Sequence, residues 1–325
     1  MKASAKAPSN IAFIKYWGKK NEVLRLPENG SISLNLDNLW TKTTVEFNPK
    51  YSKDFVTING EAETGEESRV IKHLERIRKL AGINHKAKVV SYNNFPIATG
   101  LSSSASGFAA LTVAAAWAAG LNLSEKELSI LARQSSGSSC RSIPDGFVQW
   151  LAGNTSQTSY AVSLYPPDYW DIVDVVAIVS EGKKEVSSTS GQQMAISSPF
   201  FKLRLAKIKE KIRLIKKFMA KKDFPAFGEL LEVEALELHA IMLTSTPSLI
   251  YWTPGTLMIM KLVKKWRQSG IEVYFTINTG QDVHLICQGK TKATVLAKLK
   301  KINTVKKIII NKPAQGARLV QKHLF

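Results

Sequence analysis

Three segments of the chain gather residue types that can handle phosphate and carboxylate. The first is NNFPIATGLSSSASG at 93–107. Pro96 stops a strand, Gly100 permits an unusual backbone angle, and Ser102, Ser103, Ser104 and Ser106 surround the start of an apolar helix. Free N–H groups at a helix N-terminus, small side chains and hydroxyls make an anion cradle. The same pattern also suits a serine-capped core helix. Neither GxxxxGK[ST] nor G-x-S-x-G occurs, so the loop is neither a Walker loop nor a hydrolase elbow. The second segment, Ser135–Ser142, sets hydroxyls beside Arg141, which can grip a carboxylate or phosphate with two parallel hydrogen bonds; a Ser/Gly turn with a surface arginine is the plainer reading. In the third, Ile11–Lys19, Lys15 and Lys19 flank Tyr16 and Trp17. By composition this reads as an edge strand with snorkelling lysines.

Other candidates are weaker. His73, His85, His239, His284 and His323 are scattered, without the clustering a zinc site needs. Cys140 and Cys287 cannot build a disulfide framework, and Cys140 has no evident base partner, so both read as packed thiols of a reducing compartment.

The elements that must position these segments alternate irregularly. Residues 43–48, 55–59 and 88–92 are strand-like, Glu66–Ala81 has helical spacing, and Phe108–Ala119 is a small-residue helix that must be buried on most faces. Ser124 and Glu127 form a capping box for a helix reaching Arg133. Asp171–Ser180 reads as a central strand. Beyond about residue 182, helices at Leu205–Met219, Phe224–Leu243, Leu257–Ser269 and Thr291–Lys301 mix with strands at Glu272–Ile277, Val283–Cys287 and Lys307–Ile310. This order predicts α+β with two halves joined near residue 180.

The chain of 325 residues has 45 Lys+Arg against 26 Asp+Glu, a net charge of +19. No apolar run reaches the roughly 18 residues of a membrane span, and the first ten residues lack the apolar core of a secretory signal. A cytoplasmic protein is expected. The excess charge points to small polyanions or nucleic acid, but it concentrates in Lys202–Lys222 and Gln288–Lys312. The first of these lacks the interleaved aromatics of a nucleic-acid surface and reads as a docked helix with a solvated basic face.

Taken together, the three segments resemble the diphosphomevalonate decarboxylases of the GHMP kinase superfamily. APSNIAFIKYWGK at 7–19 is similar to A-P-x-N-I-A-x-I-K-Y-W-G-K, and LPENGSISLNL at 26–36 to L-P-x-N-x-S-x-S-x-x-L. The serine loop is similar to N-N-F-P-T-A-A-G-L-A-S-S-A-x-G, and ARQSSGSSCRS at 132–142 to A-R-x-G-S-G-S-A-C-R-S. GFVQW (146–150), KEVSSTSG (184–191), SSPFF (197–201) and LHAIMLTSTP (238–247) also align.

The resemblance implies a GHMP kinase fold, with an ATP-cradling α+β domain over 1–181 and an α+β, ferredoxin-like domain over 182–325. It implies a homodimer and ATP-dependent decarboxylation of a phosphorylated mevalonate, most simply mevalonate 5-diphosphate, in isoprenoid biosynthesis. Pro96, Gly100, Ser102, Ser103, Ser104 and Ser106 would cradle the ATP phosphates, with Mg²⁺ at Ser103. Arg141 would hold the substrate carboxylate, Ser138 the transferring phosphoryl group, and Tyr16, Lys19 and Ser188 the distal phosphate. Lys15 would stabilise developing charge. Adenine contacts would lie between Trp40 and Gly60. No membrane or nucleic-acid partner is implied.

The family's F-T-x-D-A-G-P-N segment reads Phe275-Thr276-Ile277-Asn278-Thr279-Gly280-Gln281-Asp282 here. Asn278 stands at the position of the family's catalytic aspartate, and an amide cannot take a proton. Three accounts are open: a related reaction without a catalytic aspartate (on mevalonate phosphate, on a 3,5-bisphosphate, where no base is needed, or as a 3-kinase), a substitute acid at Asp145 or Asp282, or a weakly active nucleotide-binding relic.

Overall fold

The structure, a computed structural model, describes residues 1–63, 68–96, 100–180, 182 and 186–325, and of Thr189 only the backbone. Ile97, Ala98 and Thr99 of the serine loop, and residues 183–185 before Val186, lie outside the described residues. The chain opens with β1 (Lys2–Ile14), the small hairpin β2 (Lys19–Asn21) and β3 (Leu26–Pro27), β4 (Ser31–Asn48), β5 (Phe55–Ile58) and β6 (Glu61–Ala62). Next come α1 (Arg69–Ala81), β7 (Lys86–Asn93), α2 (Ser103–Ala118), α3 (Glu125–Ser135), a 3₁₀ turn at Gly137–Ser142, β8 (Phe147–Trp150), β9 (Ala161–Tyr165) and β10 (Ile172–Ile178). The remainder is α4 (Ser188–Met194), α5 (Phe201–Lys221), α6 (Phe224–Thr244), α7 (Pro254–Gln268), β11 (Val273–Thr276), β12 (Val283–Gln288), α8 (Gly289–Leu299), β13 (Lys307–Asn311) and β14 (Arg318–Leu319).

The fold is α+β, in two layers that each carry a sheet. The first sheet runs β14-β1-β4-β7-β5-β6, with β8 and β9 branching from β4. The second runs β11-β12-β10-β13. β10 joins the second sheet although it precedes the expected join at 181/182, and β14 returns from the chain's end to the first. The second sheet is therefore built from one stretch of sequence, 172–311, and the first from the chain's beginning together with its end.

β1 corrects the snorkelling part of the edge-strand reading. The short β14 flanks it only at Ala5 and Lys6, its residues from Ser9 to Ile14 pair with β4, and that pairing shifts register at Pro8/Ser9 and again at Ala12/Ile14. Such bulges re-aim the strand's end, and Lys15, just beyond it, is 1% exposed rather than snorkelling. α2 packs its alanines (Ala105, Ala109, Ala110, Ala114, all 0% exposed) against β1 and β4. Only small residues allow so close an approach on several faces, and this explains the helix's lack of amphipathic periodicity. α3 carries the expected reciprocal cap between Ser124 and Glu127.

The solvated-face reading of Lys202–Lys222 holds only in part. Arg204, Ile208, Lys211 and Ile215, spaced 4, 3 and 4 apart, share the buried stripe of α5. The two cations there meet Glu234 of α6, which is 0% exposed.

Candidate active site

A cavity of about 120 Å³ opens where the layers meet. It is walled by the residues after β1, the N-terminus of α2, the 3₁₀ turn, the start of α4 and the turn between β11 and β12. Lys15, Tyr16, Gly100, Ser102, Ser103, Ser104, Ser138, Arg141, Ser188 and Asn278 all line it. Three expected residues do not. Ser106 is 0% exposed and bonds Thr41 at 2.6 Å, toward the sheet. Lys19 pairs with Glu22 within the β2–β3 hairpin. Pro96 is exposed near the start of its loop.

The serine loop meets the opposite layer through two glycines. Gly100 holds φ at +108°, and a Cβ there would stand 2.8 Å from Gly280 Cα in the β11–β12 turn. Any side chain at 100 would therefore be strained and would also push the layers apart. Ser102 precedes α2 in a left-handed conformation without capping it, so the first-turn amides of Ser103 and Ser104 stay open to the cavity. Those amides sit at the positive end of a 16-residue helix. The helix N-terminus that the sequence reads as an anion cradle thus lines the cavity.

Arg141 is 3% exposed. Its Nη1 donates to Ser31 Oγ at 2.8 Å and its Nη2 to Asn10 Oδ1 at 3.1 Å. Among the described residues its buried Nε has no acceptor, and no carboxylate pairs with it. Burial lowers its pKa. A guanidinium buried without a counter-ion is costly, and an anionic ligand entering the cavity would relieve that cost.

Asn278 bridges the layers. Its Nδ2 donates to Ser102 Oγ at 3.0 Å, and its Oδ1 accepts from Lys15 Nζ at 3.3 Å. His239 holds its backbone: the ring is buried, stacked on Trp252 at 4.7 Å, and its pKa is pushed down to about 3 by burial. The neutral ring donates from Nε2 to the Asn278 carbonyl at 3.0 Å. The scattered histidines gave no hint of that support. Ser188, at the head of α4, reaches Thr279 Oγ1 at 2.5 Å.

Two arginines escaped the sequence reading. Arg25, left-handed at φ 48°, lines the cavity. Arg69 lies over the Phe108 ring at 4.6 Å and borders a second cavity of about 390 Å³. That cavity shares Ser103, Ser104 and Ser188 with the first, and Val56, Ile58, Val89 and Leu111 make it apolar.

Neither substitute acid reaches the site. Asp145 accepts from the Gly316 amide at 2.6 Å on the far side of the 3₁₀ turn. Asp282 is 3% exposed and accepts from the Val179 amide at 3.0 Å, while its Oδ2 has no partner among the described residues. Burial pushes its carboxyl up to about 6. Since the folded-state pKa is raised, the stability this group contributes is present below the unfolded value near 3.9 and is lost as pH rises through about 6. Asp282→Asn is therefore expected to be more stable than the parent by about 2–3 kcal/mol at pH 7.5 and equal to it near pH 4. Thermal melts at the two pH values check this; a lower Tm for the variant at pH 7.5 would refute it.

Known proteins share this arrangement. Residues 7–161 match the family model described as the diphosphomevalonate decarboxylase-like N-terminal domain, and residues 174–322 match that of the mevalonate 5-diphosphate decarboxylase C-terminal domain. A diphosphomevalonate decarboxylase of Candida albicans is 37% identical over 317 residues, covering 92% of this chain and 88% of that protein. The crystal structure of mevalonate diphosphate decarboxylase from Staphylococcus aureus matches with a TM-score of 0.93 at 37% identity over 98% of both chains. The complex of MDDEF with MVAPP, AMPPCP and magnesium has the same score and identity over 99% of both.

Proposed function

Because the chain belongs to the diphosphomevalonate decarboxylase family, we propose that it converts mevalonate 5-diphosphate and ATP to isopentenyl diphosphate, ADP, phosphate and carbon dioxide. The observation that carries this reading is Arg141, a buried cation with an unsatisfied Nε beside an open helix N-terminus. A carboxylate held at Arg141 would lie next to phosphates held at Ser103 and Ser104. Phosphoryl transfer to the 3-hydroxyl makes a leaving group there, and the carboxylate's electrons then form the alkene as carbon dioxide departs. Such chemistry depends on positioning and positive charge, and this cavity supplies both.

The remaining roles follow the same geometry. Ser138 would contact the transferring phosphoryl group, while Tyr16, Ser188 and Arg25 would face the distal phosphate. The apolar second cavity, with Asn93 at its edge, would take the nucleotide base. Part of that wall, Thr43, Val56 and Ile58, falls in the expected Trp40–Gly60 stretch; most of the rest comes from β7, α2 and the start of α1. Among the described residues no group of three or more His, Cys, Asp or Glu could hold a metal ion. Magnesium therefore fits as an ion carried mainly by the nucleotide phosphates, with the Ser103 hydroxyl alongside. When bound, it neutralises charge on the transferring phosphates. The relative crystallised with MVAPP, AMPPCP and magnesium supports the same set of ligands here.

A homodimer is supported by exposed apolar residues beside α6, Phe200 at 48% and Leu203 at 58%. Two free, buried cysteines suit the cytoplasm, and no helix among the described residues is long and apolar enough to cross a membrane.

Purified protein with ATP and, separately, mevalonate, its 5-phosphate, its 5-diphosphate and its 3,5-bisphosphate tests the assignment, with ADP and carbon dioxide followed independently. The 5-diphosphate should give both products in equal amounts. Carbon dioxide from none of the four would refute the proposal, and ADP without carbon dioxide would make the protein a kinase.

A further inference from the structure

The proton of the 3-hydroxyl must go somewhere when the phosphoryl group arrives, and no described acid at the site can take it. Asn278 is an amide, and Asp145 and Asp282 point elsewhere. Glu234 lies nearby, but Arg204, Lys211 and the Lys15 amide occupy its oxygens. Among the described residues lining the cavity there is no Asp, Glu or His; the titratable side chains are Lys15, Tyr16, Arg25 and Arg141. Arginine does not give up its proton, and burial raises the Tyr16 phenol, so it stays protonated. One candidate is left.

The Lys15 side chain is buried, and all its partners are neutral: Ala12 O at 2.6 Å, Thr276 Oγ1 at 2.7 Å and Asn278 Oδ1 at 3.3 Å. Of the amine's three contacts the one to Asn278 Oδ1, a cavity-lining residue, is the longest. A substrate hydroxyl that displaces it would meet the lone pair of the uncharged amine, whose two N–H groups keep the two short bonds. The titratable groups facing it are Glu234 and the uncharged His239 from α6, Arg204 from α5, Arg141 from the 3₁₀ turn and Asp174 from β10. Burial holds the amine well below the ordinary lysine range; Glu234 opposes this, and the two arginines reinforce it. An aspartate at 278 would supply the adjacent counter-ion that keeps a lysine charged. Asparagine does not.

We propose that the Lys15 amine is the proton acceptor of phosphoryl transfer in this chain, with Asn278 as the positioning residue that orients the substrate hydroxyl toward it. This rests on the decarboxylase reading. In the step, the 3-hydroxyl oxygen bonds to the γ-phosphorus, the bond from that phosphorus to the bridging oxygen breaks, and ADP leaves with the electron pair. The hydroxyl proton passes to Lys15 Nζ. The ammonium so formed then stands beside the 3-phosphate as it departs, and can return its proton to that phosphate or to solvent. The same side chain thus acquires the charge-stabilising role the sequence assigned it, one step later.

The test is the pH dependence of ADP formation from mevalonate 5-diphosphate by the parent, Asn278→Asp, Lys15→Arg and Lys15→Met, with nucleotide affinity measured in parallel by a fluorescent ATP analogue. The parent's rate should rise with pH through a titration above that of Asn278→Asp, whose limb moves toward the carboxylate range of about 4. Lys15→Arg keeps the charge but cannot accept the proton, so it should lose about 100- to 10,000-fold in ADP formation. Its nucleotide affinity should be retained, and it should still release carbon dioxide from substrate already phosphorylated at C3. ADP formation by Lys15→Arg near the parent rate, or an unmoved limb in Asn278→Asp, would overturn the proposal. Should the Lys15 variants fail to bind nucleotide, the Asn278→Asp profile decides alone. Failure of the parent itself to make ADP or carbon dioxide would sink the decarboxylase reading instead.

Discussion

Arg141→Met is expected to lower kcat/KM for carbon dioxide release by about 30- to 4,000-fold. Arg141 has no acid partner among the described residues, and its Nη atoms are already fixed by Ser31 and Asn10. Its orientation is therefore preorganised, and the residue lines the cavity with its buried Nε still without an acceptor among the described residues. Removing one partner of a buried, charged hydrogen-bonded pair costs about 2–5 kcal/mol, which at about 1.4 kcal/mol per factor of ten gives that range. Arg141→Lys should recover only part of the loss, since a compact ammonium lacks the planar fork. Nucleotide binding should change little in either variant, because the α2 cradle is a separate set of amides. Steady-state carbon dioxide release together with nucleotide titration checks this. A Met variant within threefold of the parent would place the carboxylate elsewhere.

The second large effect is on stability. Glu234→Gln should cost about 3–5 kcal/mol, because it leaves the buried Arg204 without its counter-ion and Lys211 with Glu237 alone. Glu234 Oε2 accepts from Arg204 Nη2 at 2.8 Å and from the Lys15 amide at 2.9 Å, and Oε1 accepts from Lys211 Nζ at 2.8 Å. Arg204 also donates to the Lys15 carbonyl at 2.9 Å. One carboxylate therefore ties α5 and α6 to the end of β1, where the site begins. Burial alone would raise its pKa, yet Arg204 and Lys211 hold it below the usual glutamate value. A depressed folded-state pKa contributes stability above the unfolded value near 4.3 and loses it as pH falls through the folded one. The gap between parent and variant should thus be wide at pH 7 and close below about pH 4. Thermal melts across that range check the prediction; a gap that stays constant would show that charge is not its source.

The chemistry-bearing segments were legible because their residue types have few other uses together. A serine loop after a strand, a serine turn ending in arginine and the α3 capping box all appear where sequence placed them. Lys15 was misread for a physical reason. Its burial depends on Thr276 and Asn278, more than 250 residues away, and on Glu234, more than 200 residues away. No local pattern reports either. Arg204 and Lys211 are different. Their spacing with Ile208 and Ile215 put them on the apolar stripe of α5, and a lysine-rich composition hid a signal that was there. Arg25, Arg69 and His239 carried none, since each acquires its meaning only from what the fold brings against it. The net charge of +19 is also sharpened: part of it is buried structure, and the share that faces the cavity is Lys15, Arg25 and Arg141.

A single-turnover experiment tests the central claim most directly. Excess protein is mixed with mevalonate 5-diphosphate labelled at C1 and ATP labelled at the γ-phosphate, then quenched over time. The site described here predicts label on the 3-oxygen first, followed by one carbon dioxide and one free phosphate per ADP. Carbon dioxide released without transfer of the γ-phosphoryl group, or ADP formed with the carboxylate intact, would contradict it.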